Sequence, residues 1–340
     1  MLHIAPQPWK TLALAATLST VLVGCGSAED SAETAAGTST GTDTPFIAVT
    51  QIVEHPALDA VRDGVQDELA EAGYKDGESL KWAWETAQGQ PATASQIAQK
   101  FIGERPDVIV AIATPSAQAV VAANQDTPVV FSAVTDPVGA ELVTDMDAPG
   151  GLVTGVSDLS PIDQHMALIT EVLPEAQTLG VIYNAGEANS VSLVELIQQE
   201  APGQGFDNVI EATISSSADV ATAADSLVGR VDVIYIPTDN TVVSALESVL
   251  KVGAENQIPV FAGDTDSVER GAIAGISFDY YDVGRQTGEV VLRILDGEDP
   301  GTIPVETVQS LELAVNPAAA EAMGVTLPEA VTSRADQVIE

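Results

Sequence analysis

The chain has 340 residues, 45% of them apolar and 4% aromatic, and 12 Lys+Arg stand against 50 Asp+Glu for a formal net charge of −38. That length suits two ordinary domains or one two-lobed unit, with cores built of Ala, Val, Ile and Leu. A surface this negative excludes nucleic-acid binding and charge-driven binding to anionic headgroups, so any membrane attachment must come from an inserted group. Because the charge is spread along the chain, it reads as a solvated acidic surface. Adaptation to high salt is the hypothesis it raises, and a melting series in rising NaCl that shows no gain in stability would count against it.

Residues 1–25 read as a signal peptide. Lys10 precedes an apolar stretch from Leu12 to Val23, interrupted by Thr17, Ser19 and Thr20 and too short for a comfortable transmembrane helix. It ends in Leu22-Val23-Gly24-Cys25. This tetrapeptide resembles the bacterial lipoprotein cleavage box, which implies that Cys25 becomes a lipidated mature N terminus. Two acyl chains would then anchor the protein stably to the outer face of the cell membrane. Cys25 is the single cysteine, so no internal disulfide is possible. Residues 26–45 are rich in Ser, Thr, Gly, Ala, Asp and Glu and read as a flexible tether of about 24 Å.

From Phe46 the pattern becomes regular. Phe46–Val49 predicts a strand, and Ala57–Ala72 a helix through Leu58, Val61, Val65 and Leu69. A strand over 79–85, a helix over 91–102, a strand over 107–112 and a helix over 115–123 follow. Strands over 128–131 and 152–156 close the first half. The second half repeats the theme, with helices over 162–173, 190–199, 218–228, 242–254 and 283–295. Between them lie strands over 179–183, 209–213, 231–236, 259–262 and 272–278, and 305–315 reads as a late strand. Strands alternating with helices mean an α/β protein with parallel sheets flanked by helices. Ten or more strands are many for one open sheet, so two similar lobes are expected, with a break near 157.

Ligands of open parallel sheets bind beyond the carboxyl ends of the strands, and here those ends carry polar residues repeatedly. They are Gln51 and Glu54; Thr114 and Ser116; Thr135 and Asp136; Asn184 and Asn189; Asp239 and Asn240; and Asp264. Thr114-Pro115-Ser116 suits a helix start, whose free N–H groups and hydroxyl would hold a carboxylate. Asp239 and Asp264, from the other half, would pair with an ammonium. Together they match a zwitterionic amino acid. The plainer reading of each turn is helix capping, since Thr, Ser, Asp and Asn are the preferred caps. Tyr280, which opens a helix directly after a strand, joins the candidates.

Enzyme signatures are poor. His3 is in the signal peptide, His165 falls on the outer face of a predicted helix, and His55 lies in a cleft loop with no cysteine nucleophile to serve. No metal-ligand spacing, phosphate loop or Gly-x-Gly-x-x-Gly follows a strand, so neither catalysis, a cofactor nor a metal is expected. Glu54 with Asp264 as a glycosidase-like pair is the weakest alternative. Trp82 and Trp84 alternate on one strand and read as packing.

Seven blocks carry a family resemblance: Gln51-Ile52-Val53-Glu54-His55-Pro56, Ala113-Thr114-Pro115-Ser116-Ala117-Gln118, Phe131-Ser132-Ala133-Val134-Thr135-Asp136-Pro137, Val181-Ile182-Tyr183-Asn184 through Ser190, Tyr235-Ile236-Pro237-Thr238-Asp239-Asn240-Thr241, Phe261-Ala262-Gly263-Asp264-Thr265, and Phe278-Asp279-Tyr280-Tyr281 with Gly284-Arg285-Gln286-Thr287-Gly288. Over about residues 46–335 the chain resembles the tryptophan/tyrosine-type ABC transporter substrate-binding proteins. The resemblance implies a type I periplasmic-binding fold with three crossovers, near 157, 279 and 303. The N-terminal lobe would then be 46–157 plus 280–303, and the C-terminal lobe 158–279 plus 304–340. It further implies a monomer that captures an amino acid, with aromatic ones favoured, and delivers it to ABC permease subunits. Presentation of ligand to a membrane sensor, or binding of a nucleoside or sugar, are the alternatives; neighbouring permease and ATPase genes would favour import.

Overall fold

The computed structural model describes residues 44–339. The expected signal peptide, Cys25 and nearly all of the tether lie outside the described residues.

Short apolar runs form the strands and amphipathic segments the helices. In the first lobe, β1 (Phe46–Gln51), β2 (Lys81–Thr86), β3 (Val108–Ile112), β4 (Val129–Ser132) and β5 (Val153–Ser157) alternate with α1 (Pro56–Glu71), α2 (Pro91–Glu104) and α3 (Thr114–Ala123). All pairings are parallel, in the order β5-β4-β3-β1-β2. Strands β1, β3 and β4 are buried from end to end, as sheets with covered faces require. The register sets Gln51 beside Ile112 and Ile112 beside Ser132, so the polar residues that follow these strands share one edge. Trp82 and Trp84 pack on the core from the edge strand, and Arg62 stacks over Trp84 at 4.7 Å.

The second lobe begins at α4 (Ile162–Val172). It carries β6 (Thr178–Asn184), β7 (Asn208–Ile214), β8 (Val233–Ile236) and β9 (Val260–Ala262), parallel in the order β7-β6-β8-β9. Its helices are α5 (Ala188–Glu200), α6 (Val220–Leu227), α7 (Asn240–Val243), α8 (Leu246–Asn256) and α9 (Thr265–Glu269). After β10 (Ala274–Ser277), α10 (Tyr280–Leu295) returns to the first lobe, and β11 (Glu306–Thr307) adds to β5. The chain then crosses back to β12 (Glu312–Val315), antiparallel to β10; α11 (Pro317–Ala322), α12 (Glu329–Thr332) and β13 (Gln337–Val338) complete it. Two separate apolar cores result, one built around β1, β3 and β4 and the other around β6 and β8. Where α10 crosses α1, glycine is required: a Cβ on Gly284 would lie 2.1 Å from the carbonyl oxygen of Val61.

Two expected elements divide. The helix over 242–254 is α7 and α8, broken at Ser244–Ala245, where Ala245 leaves helical geometry at φ −128°. An unbroken apolar pattern hid that break. The late strand over 305–315 is β11 in one sheet and β12 in another, because alternation alone does not say which partner a strand takes. His165 is buried rather than outward-facing: its ring nitrogens meet the Tyr235 hydroxyl at 2.5 Å and the Ile276 carbonyl at 2.7 Å. Burial pushes its pKa down to about 4, so it is a neutral core residue.

Candidate functional site

The strand ends of the two lobes face one another across a cavity of about 360 Å³. The first lobe lines it with His55, Ala57, Leu58, Ala133 and Thr135. The second lobe adds Asn189, Thr238, Asp239, Asn240, Val243 and Asp264, and the chain crossings contribute Asp158 and Tyr280. The lobes touch around it: Ser192 Oγ of α5 donates to Asp136 Oδ2 at 3.3 Å, and the hydroxyls of Ser160 and Thr238 stand 3.5 Å apart.

Six sequence candidates come together here: Thr135, Asn189, Asp239, Asn240, Asp264 and Tyr280. Their surroundings separate them. Asp239 caps α7, with Oδ1 accepting from Val242 N at 2.8 Å and Oδ2 from Asn184 N and Ser190 Oγ, both at 2.6 Å. All three bonds close within its own lobe, two of them on Oδ2. Asp264 caps α9 through Ser267 N and Ser267 Oγ, both at 2.7 Å, one to each oxygen, which leaves lone pairs on both. Asn240 donates to Glu187 Oε2 at 2.6 Å. Asn189 Nδ2 donates to Ser190 Oγ and the Thr238 carbonyl, and its buried Oδ1 has no partner.

The other six candidates do not line the cavity. Glu54 is exposed. Asp136 closes a turn through Gly139 N at 2.8 Å and takes the bond from Ser192. Asn184 closes the β6 turn through Gly186 N at 2.9 Å and lines an outer interlobe cavity of about 1070 Å³. Gln51 donates to Val53 O and Asp59 Oδ1, while its Oε1 stays buried without a partner. Thr114 and Ser116 are fully buried in the first turn of α3, and neither hydroxyl has a partner. Thr114 does not cap that helix: Ala113 occupies the cap position and no side chain serves it.

Sequence reasoning missed Asp158. It follows directly on the carboxyl end of β5, a strand tip that the search for polar tips passed over. It is 3% exposed, accepts from the Tyr280 hydroxyl at 2.9 Å and from Thr135 Oγ1 at 3.4 Å, and burial pushes its pKa up to about 6. Asp264 is likewise raised by burial, and Asp239 by burial and by the Glu187 charge. Three carboxylates therefore line one cavity, all in environments that disfavour their charge. A bound cation would reverse that. His55 is shifted the opposite way: burial pushes it down to about 3, the Arg270 charge adds to the shift and Asn240 opposes it.

Strain marks the same edge. Ala113 and Ala133, at the ends of β3 and β4, hold φ of 71° and 52°, a left-handed geometry that costs a side-chain-bearing residue about 1–3 kcal/mol. Among the described residues no cluster of His, Cys, Asp and Glu is arranged to hold a metal, and no helix is long and apolar enough to cross a membrane.

The family model described as "ABC transporter substrate binding protein" matches residues 46–339. A tyrosine-binding protein of Clostridioides difficile is 42% identical, over 79% of this chain and 78% of its own length. The structure of an ABC domain in complex with L-Trp from Streptococcus pneumonia is 35% identical and superposes with a TM-score of 0.84, covering 87% of this chain and all of the other. A ligand-free, open substrate-binding protein of Clostridium difficile, 40% identical over 87% of this chain and 99% of its own, reaches 0.65. More distant structures, among them a glucose-galactose binding protein and an ABC sugar transporter subunit, are 14–15% identical and share the fold alone. From its strand order, its interlobe cavity and these likenesses, the chain belongs to the ABC transporter substrate-binding protein family and is built for solute binding.

Proposed function

We propose that this protein captures an aromatic amino acid outside the cytoplasm and delivers it to the permease subunits of an ABC importer, as a monomer tethered by lipid on Cys25. The reading rests foremost on one arrangement: Asp158 and Asp264 hold acceptor capacity toward a cavity whose other wall is Ala57, Leu58, Ala133 and Val243. The carboxylates suit an ammonium group, and the apolar wall suits a flat side chain. A tyrosine-binding relative and an L-Trp complex among the similar structures favour the aromatic class.

Domain closure gives transport its signal. A ligand bridging both lobes stabilises the closed form by its differential affinity for that form, and the permease reads closure. The test is a thermal-shift screen of the amino acids alongside sugars and nucleosides, followed by calorimetry of the hits. Tyr or Trp raising the melting temperature while sugars leave it unchanged is the expected result. A sugar or nucleoside as the best ligand would overturn the reading. Mass spectrometry of the mature protein tests the anchor: an unmodified Cys25 removes it.

A further inference from the structure

The cavity holds two partnerless buried polar atoms among its lining residues, one from each lobe: Nδ1 of His55 and Oδ1 of Asn189. Their settings differ. Asn189 is oriented by donating to the Thr238 carbonyl, so its free oxygen is a pure acceptor on the cavity lining. That is ammonium chemistry. His55 lies two residues before Ala57, which with Leu58 and Ala133 gives the first lobe's apolar share of the cavity lining. Its partnerless Nδ1 belongs to the same cavity lining as those apolar residues, so an apolar ring lying against them would leave that nitrogen unpaired.

We propose that His55 makes this site selective for amino acids whose ring carries a hydrogen-bonding atom, a phenol or an indole, over phenylalanine. The inference rests on the amino-acid reading above and adds the determinant of choice within that class. Burial of the imidazole beside Arg270 keeps it neutral across the working pH range, so Nδ1 is available for a neutral hydrogen bond. A site that leaves a buried polar atom unpaired rejects the ligand lacking the matching group far more strongly than an apolar pocket rejects a ligand of the wrong size.

Calorimetric titration of the full folded protein with L-Tyr, L-Trp and L-Phe, repeated for His55→Leu and His55→Gln, tests this. The native protein is expected to bind L-Tyr or L-Trp about 100-fold more tightly than L-Phe. His55→Leu should weaken the preferred ligand at least about tenfold while leaving L-Phe unchanged or tighter, and His55→Gln, which keeps a polar group there, should retain part of the preference. Circular dichroism melts check that both variants are folded. L-Phe binding within about threefold of the others in the native protein overturns the proposal. So does an equal loss for all three ligands in a folded His55→Leu, which would place His55 on the shared backbone groups of the ligand. If none of the three binds the native protein, the amino-acid reading fails along with it.

Discussion

The two lobes present similar strand-tip chemistry to the cavity and use it differently. In the second lobe the tips are satisfied from within, Asn189 Oδ1 apart: Asp239 and Asp264 cap α7 and α9, and Glu187 binds Asn240 and Thr241. In the first lobe they are left open, with Thr50, Gln51, His55, Thr114 and Ser116 each holding a partnerless buried atom. Strained Ala113 and Ala133 sit among them. A polar residue at a strand end is therefore not one signal. Where its bonds close on its own helix, it builds the lobe; where they stay open and buried, the fold bears a cost, and of these first-lobe residues only His55 lines the cavity.

The contrast is open to breakage, beginning with the largest effect. Asp239→Ala removes three internal bonds and leaves Asn184 N–H and Ser190 O–H unpaired, so it should lower stability to urea by about 3 kcal/mol. Stability unchanged within experimental error would return Asp239 to the ligand. Asp158→Asn keeps the shape and removes the charge. It should weaken amino-acid binding about 30-fold with little change in melting temperature, and equal affinity in calorimetry would remove Asp158 from the site.

The pH dependence comes next. Asp158 titrates near 6 in the unliganded protein, and an ammonium ligand favours its ionised form. Binding should thus be tightest above that value and weaken as pH falls through it, by about tenfold between pH 7 and 5. Asp158→Asn should flatten the profile; an unaltered slope would place the titrating group elsewhere. Smallest is Thr114→Val, which removes an orphaned hydroxyl. It should leave stability equal or slightly raised and affinity unchanged, since Thr114 does not line the cavity. A loss of stability without a loss of affinity would make the hydroxyl structural, as in the second lobe.

Much of this was legible in the residues. The βα alternation and the two-lobed architecture follow from apolar runs, helical spacing and the turns that punctuate them. What was hidden is instructive. Asp158 follows a strand but opens no helix, so it lacks the helix-start chemistry that marks most of the other tips. His165 looked outward on a helical wheel, yet a buried Tyr235 hydroxyl and a carbonyl receive its two nitrogens, and no local pattern announces partners 70 and 111 positions away. The break at Ser244–Ala245 lies inside an apolar run that fits one helix or two.

Local order was written in the chain because hydrophobic periodicity and turn chemistry act over a few residues. The family blocks go further, since they tie the strand tips to one kind of fold. Which tips are spent and which stand open was settled by long-range packing. Asp239 reaches Asn184 and Ser190 across the second lobe, whereas Thr114 and Ser116 reach nothing. Hydrogen-bond partners are assigned by three-dimensional proximity, and no spacing along the chain encodes that.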